Sequence, residues 1–501
     1  MNKGKVYLVG AGPGDVGLLT LKGLECVKKA DVLIYDHLVN RHILSFAKDS
    51  SEIIYAGKSG KERIEQEEIN HLLVNKALRG KVVVRLKGGD PFLFGRGGEE
   101  ALFLVKNEVP FEVVPGIPSS LACPAYAGIP ITHRKYSSSL AIITGHEDPK
   151  KEISSIPWDR ISLVETLIIL MGVRNLQEIV DRLIKGGRKE TTPIAVIRWG
   201  TRNNQQTIVG TLRDIVEKAR QITPPATIVV GDVVRLRKRL NWFEKRPLFG
   251  KGILVTRDKE GISELSNLLR SYGAQVFETP LIKILPPENF DGLDLSIDKL
   301  SEYNWIVFTS KNGVRYFLDR LRCKNRDIRE LKGIRIACIG KKTSEEIERL
   351  GLIVDCQPKR YETDALIESL KVWNLKGTRI LLPRADKARG LLSAELKKEG
   401  AEVTEVIAYR IVKEESVDEV KRCFKDRKID VITFTSSTAV QNFYEIFRDK
   451  DINRLLKGVK VACIGPVTSK TAEDLGIDVH ITPTEYTISG LVKAILKRAA
   501  R

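Results

Sequence analysis

The chain has no apolar run approaching the roughly 20 residues that a membrane-spanning helix needs. Its seven cysteines (Cys26, Cys123, Cys323, Cys338, Cys356, Cys423 and Cys463) are scattered, with no C-x-x-C pair. That argues against a zinc ribbon or a disulfide framework as the organising device. The six histidines form neither an H-E-x-x-H motif nor a cluster, so no metal centre is expected. No aromatic-rich RNA-binding segment is present, and the 83 Lys and Arg residues are spread along the chain rather than gathered in one arm. The formal net charge of +19 therefore does not single out nucleic acid. A solvated basic surface accounts for most of it, and a small substrate rich in carboxylates fits equally well. A cytoplasmic protein with neither a membrane nor a nucleic-acid partner is expected.

At 501 residues the chain is too long for one core, and two or three domains follow. The first half is organised around Arg85-Leu86-Lys87-Gly88-Gly89-Asp90-Pro91. The β-branched run Val82, Val83, Val84 reads as a buried strand, and the glycine pair after it lets the backbone turn sharply. Such a loop exposes amides to a ligand, sets the Asp90 carboxylate beside them, and leaves along a path fixed by Pro91. Taken alone it reads equally well as an ordinary strand-to-helix turn. Upstream, Gly12-Pro13-Gly14-Asp15-Val16-Gly17 matches G-x-G-x-x-G, with Asp36 closing the next strand about 20 residues on. A dinucleotide-binding oxidoreductase is thus one reading of this half. Pro13 and Asp15 oppose it, since they put a rigid ring and a negative charge where a pyrophosphate would approach.

Many segments of this half occur together in one order: GAGPGD at 10–15, YDHLV at 35–39, GKSG at 57–60, RLKGGDPFLFGRGGEE at 85–100, VVPGIPSS at 113–120, AGIPITHR at 127–134, MGV at 171–173 and RWGTRNNQQTIVGTL at 198–212. In this the chain resembles the tetrapyrrole methylases, specifically the uroporphyrinogen-III C-methyltransferases. The resemblance implies two α/β domains with S-adenosyl-L-methionine (SAM) in the cleft between them, usually as a homodimer. It places cofactor contacts at Pro13, Gly88, Gly89, Asp90, Leu93, Pro118, Ser119, Met171 and Gly200. It assigns Asp36 as proton acceptor and Lys58 as proton donor, with a turn-capping carboxylate and a substrate clamp as their structural alternatives. Arg85, His133 and Arg134 are candidate clamps for the substrate's acid side chains. Residues 235–251 are basic and carry no clean period, so they read as a charged surface linker, with the domain boundary near 245.

The second half repeats itself. KGIRIACIGKKTSEEIERLGL matches KGVKVACIGPVTSKTAEDLGI, Gly340 and Gly465 being 125 residues apart, and NWIVFTSKNG matches DVITFTSSTA. Each copy alternates strand and helix, which predicts parallel α/β domains. Ser310, Asn312 and Thr343 in one copy, and Ser436, Ser437 and Thr468 in the other, fall where strands end and helices begin. There, free amides and small hydroxyls take anions, or the same residues simply cap helices. The pattern resembles uroporphyrinogen-III synthase over residues 250–501. That implies a cofactor-free enzyme of two α/β domains, with lobes 250–285 plus 412–501 and 286–411, that inverts the last ring of hydroxymethylbilane. Tyr409 matches the tyrosine position proposed to assist hydroxyl departure, with a hinge-lining aromatic as the alternative. Lys311, Arg384 and Arg257 are candidates for holding acid side chains.

The combined expectation is an α/β enzyme with a methyltransferase at 1–245 and a synthase at 246–501. It would cyclise hydroxymethylbilane to uroporphyrinogen III and methylate that at C2 and C7 to precorrin-2, by way of precorrin-1, toward sirohaem or cobalamin. A homodimer through the first half is expected. The alternative is a chain with one active half, the other serving as a binding module.

Overall fold

The computed structural model describes residues 4–57, 65–147, 155–256, 259–279, 282–358, 363–386, 390–413, 418–426, 428–447 and 452–499. Two compact units emerge. One runs to Gly252 and takes in Leu269–Gln275; the other comprises Ile253–Leu268 and Val276–Arg498. No helix among the described residues is long and apolar enough to cross a membrane.

The first unit is built on two sheets. One has five parallel strands in the order Glu52–Tyr55, Val32–Tyr35, Val82–Lys87, Lys5–Gly10, Phe111–Val114. Its central strands read as near-continuous Val, Ile and Leu because a parallel sheet is covered on both faces. Lys5–Gly10 and Val82–Lys87 lie side by side although the chain between them builds the sheet's other edge. Their C-terminal loops therefore meet where the strand order reverses, the usual ligand position in such sheets.

The second sheet has the order Leu140–Thr144, Thr166–Leu170, Ala226–Val230, Pro193–Arg198, Gln206–Thr211. Only its first pair is parallel. The helix Leu176–Lys185 buries Leu176, Ile179, Val180 and Leu183 on one stripe against it. Burying those four side chains contributes on the order of 6–12 kcal/mol before chain entropy is counted.

Residues 235–251 are not the solvated linker that their charge predicts. Phe243 is 1% exposed and Leu248 0%, and the Phe243 ring packs 4.7 Å from that of Tyr126. Trp242 Nε1 donates to the Ala125 carbonyl at 3.1 Å, while Glu244 pairs with Arg237 and accepts from Gln205 and Thr207. Six apolar residues set among the charges (Leu236, Leu240, Trp242, Phe243, Leu248 and Phe249) were the signal, and anchoring outweighs local polarity.

In the second unit, one sheet has the order Gln275–Glu278, Gly252–Val255, Val431–Phe434, Lys460–Cys463. The other has the order Ile282–Leu285, Glu402–Lys413, Arg379–Ala385, Trp305–Phe308, Arg335–Cys338. Ile282–Leu285 pairs antiparallel with the end of Glu402–Lys413, forming a two-stranded ribbon. The internal repeat is visible in the backbone. Cys338 donates to Cys356 O at 3.0 Å and Cys463 to Ile481 O at 2.9 Å, each closing an isolated parallel bridge at the equivalent place.

Candidate active sites

In the first unit the glycine loops clasp one another. Gly12 and Gly89 exchange backbone hydrogen bonds at 3.2 and 2.7 Å. A Cβ on Gly116 would sit 2.3 Å from Gly89 O, and one on Gly10 2.5 Å from Gly116 Cα, so three chain segments approach more closely than side chains permit. Asp90 fastens them. Its Oδ1 accepts from the amides of Phe92 at 2.8 Å and Leu93 at 3.1 Å, and its Oδ2 from Gly116 at 3.0 Å. Beyond Gly89 lie Pro118 and Ser119, the start of helix Ser119–Tyr126; a Cβ on Gly89 would stand 3.7 Å from Pro118 Cα. Gly200 sits in a turn whose flanks, Trp199 and Thr201, have φ of 49° and 67°; a Cβ there would meet Cys123 Sγ at 2.3 Å. Thr201 Oγ1 accepts from the Asp15 amide at 3.0 Å, tying this turn to the Pro13 loop.

Met171 has φ 58° and is 51% exposed. With Phe92, Phe94, Arg96, Thr144 and His146 it lines a cavity of about 490 Å³. Phe94, Arg96, Met171, Trp199 and Thr201 all hold left-handed backbones on these loops. Such strain persists only where surrounding structure enforces it, and it concentrates at ligand sites. Sequence reading missed Arg96 and Glu99, which line the cavity and pair at 2.6 Å. Their spacing of three at a helix start was the available signal.

Asp36 Oδ1 accepts from the Leu38 amide at 2.9 Å, and Oδ2 lies 4.0 Å from Arg85. The turn-capping alternative therefore holds for one oxygen and leaves the other. Arg85 is 3% exposed, and its Nε reaches Glu100 at 3.2 Å. It is thus buried inside the fold, where its guanidinium meets Glu100 instead of an incoming ligand. Lys87 Nζ meets the same Glu100 oxygen at 2.8 Å, as does Gln66 at 3.1 Å. Glu100 is fully buried, and its second oxygen has no partner. Burial, then the Arg85 charge, push the Lys87 ammonium below its ordinary range despite the Glu100 contact. His133 and Arg134 sit on an exposed turn closed by His133 N to Ser137 O at 2.9 Å, outside the set that lines the Met171 cavity. Lys58 lies outside the described residues.

In the second unit Ser310 caps the helix Lys311–Cys323, accepting from Gly313 N at 3.1 Å, and Ser436 accepts from Ala439 N at 3.2 Å. The capping alternative holds for both. Ser310 also meets the Tyr409 hydroxyl at 2.9 Å. Tyr409 is 6% exposed and stacks on Tyr316, and burial raises its phenol above the ordinary range. Ser437 accepts from Thr471 at 2.9 Å. Thr343 and Thr468, equivalent in the two copies, are each 5% exposed, because the third helical position turns inward. Asn312 follows Ser310 on the first turn of its helix, half-buried. Arg384 pairs with Glu405 at 2.7 Å. Arg257 lies outside the described residues.

These two sites define a class: an α/β glycine-loop site followed by a duplicated α/β unit. Residues 5–216 match the family of tetrapyrrole (corrin/porphyrin) methylases, and residues 263–493 match uroporphyrinogen-III synthase HemD. A porphyrin biosynthesis protein HemD from Ruminiclostridium josui is 38% identical over 99% of this chain and 98% of its own. A uroporphyrinogen-III C-methyltransferase from Methanocaldococcus jannaschii is 52% identical over 46% of this chain and 98% of its own. An S-adenosyl-L-methionine-dependent uroporphyrinogen III methyltransferase from Methanosarcina barkeri is 53% identical over 47% of this chain and 94% of its own. The chain belongs to the family in which a tetrapyrrole methylase and a uroporphyrinogen-III synthase share one polypeptide.

Proposed function

We propose that the second unit closes hydroxymethylbilane to uroporphyrinogen III, and that the first methylates this at C2 and C7 to precorrin-2, by way of precorrin-1. The observation that carries the reading is that this chain joins the two matched families in this order, with a porphyrin biosynthesis relative aligned across 99% of it. The synthase product is the methyltransferase substrate, so each half explains the other. The many basic residues suit intermediates rich in carboxylates.

The first site fits SAM. Its glycine loops let backbone approach closely at Gly89, and half-exposed Met171 offers a soft apolar wall. Pro13, Gly88, Gly89, Asp90, Leu93, Pro118, Ser119, Met171 and Gly200 would hold it. Asp90 acts through the loops, since its oxygens already hold three amides. When bound, this cofactor supplies an electrophilic methyl group. Asp36 takes the one proton that the ring system loses for each methyl gained, from a pyrrole nitrogen or a bridging carbon since the methylated carbon bears none, on the oxygen facing Arg85. Arg85 orients that carboxylate, and Lys58 is the proton donor that relocates a hydrogen within the ring system, so that one proton is still lost for each methyl gained. Arg96, His133 and Arg134 hold acid side chains. In the second unit the Tyr409 hydroxyl, oriented by Ser310, assists departure of hydroxide, and Ser436 and Ser437 face the substrate. The protein works in the cytoplasm as a homodimer joined through its first unit.

Anaerobic incubation with hydroxymethylbilane, with and without SAM, tests both halves. The expected result is the type III isomer without SAM and a dimethylated product with it. Formation of the symmetric type I isomer alone would sink the synthase reading. Type III without methylation would sink the other.

A further inference from the structure

We infer that Arg202 is a seat for a carboxylate of the reactants bound in the first unit. The inference rests on the methyl-transfer reading of that site. Arg202 follows the strained Trp199-Gly200-Thr201 turn, and its guanidinium lies 4.5 Å over the Trp199 ring. One terminal nitrogen donates to the Leu38 carbonyl at 2.6 Å, two residues beyond Asp36. Its Cγ and Nε come within 2.8 Å of where a Gly14 Cβ would stand, so the side chain crosses the Pro13 loop at a place only glycine leaves free. The guanidinium therefore touches three segments that the proposed site uses.

Beyond the Trp199 ring and the Leu38 carbonyl, its charge meets no carboxylate there. Nε is buried without a hydrogen-bond partner, and among the described residues no carboxylate forms an ion pair with Arg202. The nearby acids are already engaged: Asp15 accepts from Gly17 and Tyr126, and Asp36 from Leu38 while facing Arg85. Burial, with no acid to offset it, holds Arg202 below the ordinary arginine range. A half-buried guanidinium whose Nε is shut off from water without an anion is costly to the fold, whereas the deeply buried Arg85 and Lys87 in the same unit share Glu100. The cost is recovered when a ligand brings the anion, and a planar fork suits a carboxylate. Two reactants carry one: the amino-acid end of the cofactor and the acid side chains of the tetrapyrrole.

The test compares the full-length enzyme with Arg202→Gln, which keeps a donor for Leu38 O but removes the charge, and Arg202→Lys, which keeps the charge. Calorimetry reads binding of S-adenosylhomocysteine and of methylthioadenosine, the same nucleoside thioether without the amino-acid end; steady-state kinetics read KM for uroporphyrinogen III. In Arg202→Gln, a loss of about ten- to hundredfold for S-adenosylhomocysteine, with methylthioadenosine unchanged, assigns the seat to the cofactor. A rise of similar size in KM, with both nucleosides unchanged, assigns it to the tetrapyrrole. Arg202→Lys should recover a substantial part of either loss. If Arg202→Gln handles all three ligands as the wild type does, the inference is overturned. It is equally overturned if both nucleosides weaken together and Tm falls, since the residue is then only a brace for the loop. Should the wild type bind neither nucleoside, the methyl-transfer reading fails first and takes this one with it.

Discussion

The two units solve different positioning problems with different materials. In the first, charge is placed by burial: Glu100, fully enclosed, gathers Arg85, Lys87 and Gln66, and Arg85 then faces Asp36. In the second, hydroxyls are placed by secondary structure: Ser310 and Ser436 cap helices, and Ser310 carries Tyr409. The contrast matches the chemistry proposed for each. Methylation at carbon needs a base held in one protonation state, while ring closure of a substrate that ionises readily mainly needs that substrate folded.

The contrast predicts unequal sensitivity to substitution. Glu100→Leu removes the anion from two buried cations, and a loss of about 3–5 kcal/mol is expected in the first unit's unfolding transition. Methyl transfer should fall with it while type III formation stays intact; equal damage to both activities would erase the distinction between the units. Gly200→Ala forces a Cβ against Cys123 Sγ, at 2.3 Å, and should cost about 1–3 kcal/mol with weaker SAM binding. Cofactor affinity unchanged by this substitution would dissociate the strained turn from the site.

Tyr409→Phe deletes one hydroxyl contact, that to Ser310, and should cost about 1 kcal/mol of stability. Its sharper readout is the isomer ratio, with the type I fraction rising because uncatalysed closure competes. A wild-type ratio would leave Tyr409 as packing alone. The smallest effect concerns acid. Arg320 hydrogen-bonds Asp294 and holds its carboxyl below the ordinary carboxylate range. The pair's stabilisation is thus present above the unfolded value of about 4 and is lost as pH falls through the lowered folded value. Asp294→Asn should flatten that part of the second unit's acid-unfolding curve, and a curve as steep as the wild type's would count against the pair.

Much of the first unit was legible because its signals are local. Val82 to Val84 mark a covered strand and Gly88-Gly89-Asp90-Pro91 a turn, while in the second half the short segments repeated 125 residues apart mark a duplicated unit. Each follows from backbone freedom or pattern over a few neighbouring residues. What sequence could not give was direction and burial. Asp90 was legible as a carboxylate beside amides, yet that it fastens Gly116, 26 residues on, depends on strands meeting at the reversal point of the sheet. Arg85 read as a clamp by its charge, but its strand is covered on both faces, and the helix carrying Glu100 meets it there. The basic stretch 235–251 read as linker, while Phe243 and Leu248 went into the core. By itself, then, the sequence determined the element types, the glycine turns, the repeat and the family resemblance, all encoded within short spans. Which charges are buried, which are paired and which, like that of Arg202, wait for an anion was decided only by tertiary structure, because burial and pairing are properties of segments brought together from far apart in the chain.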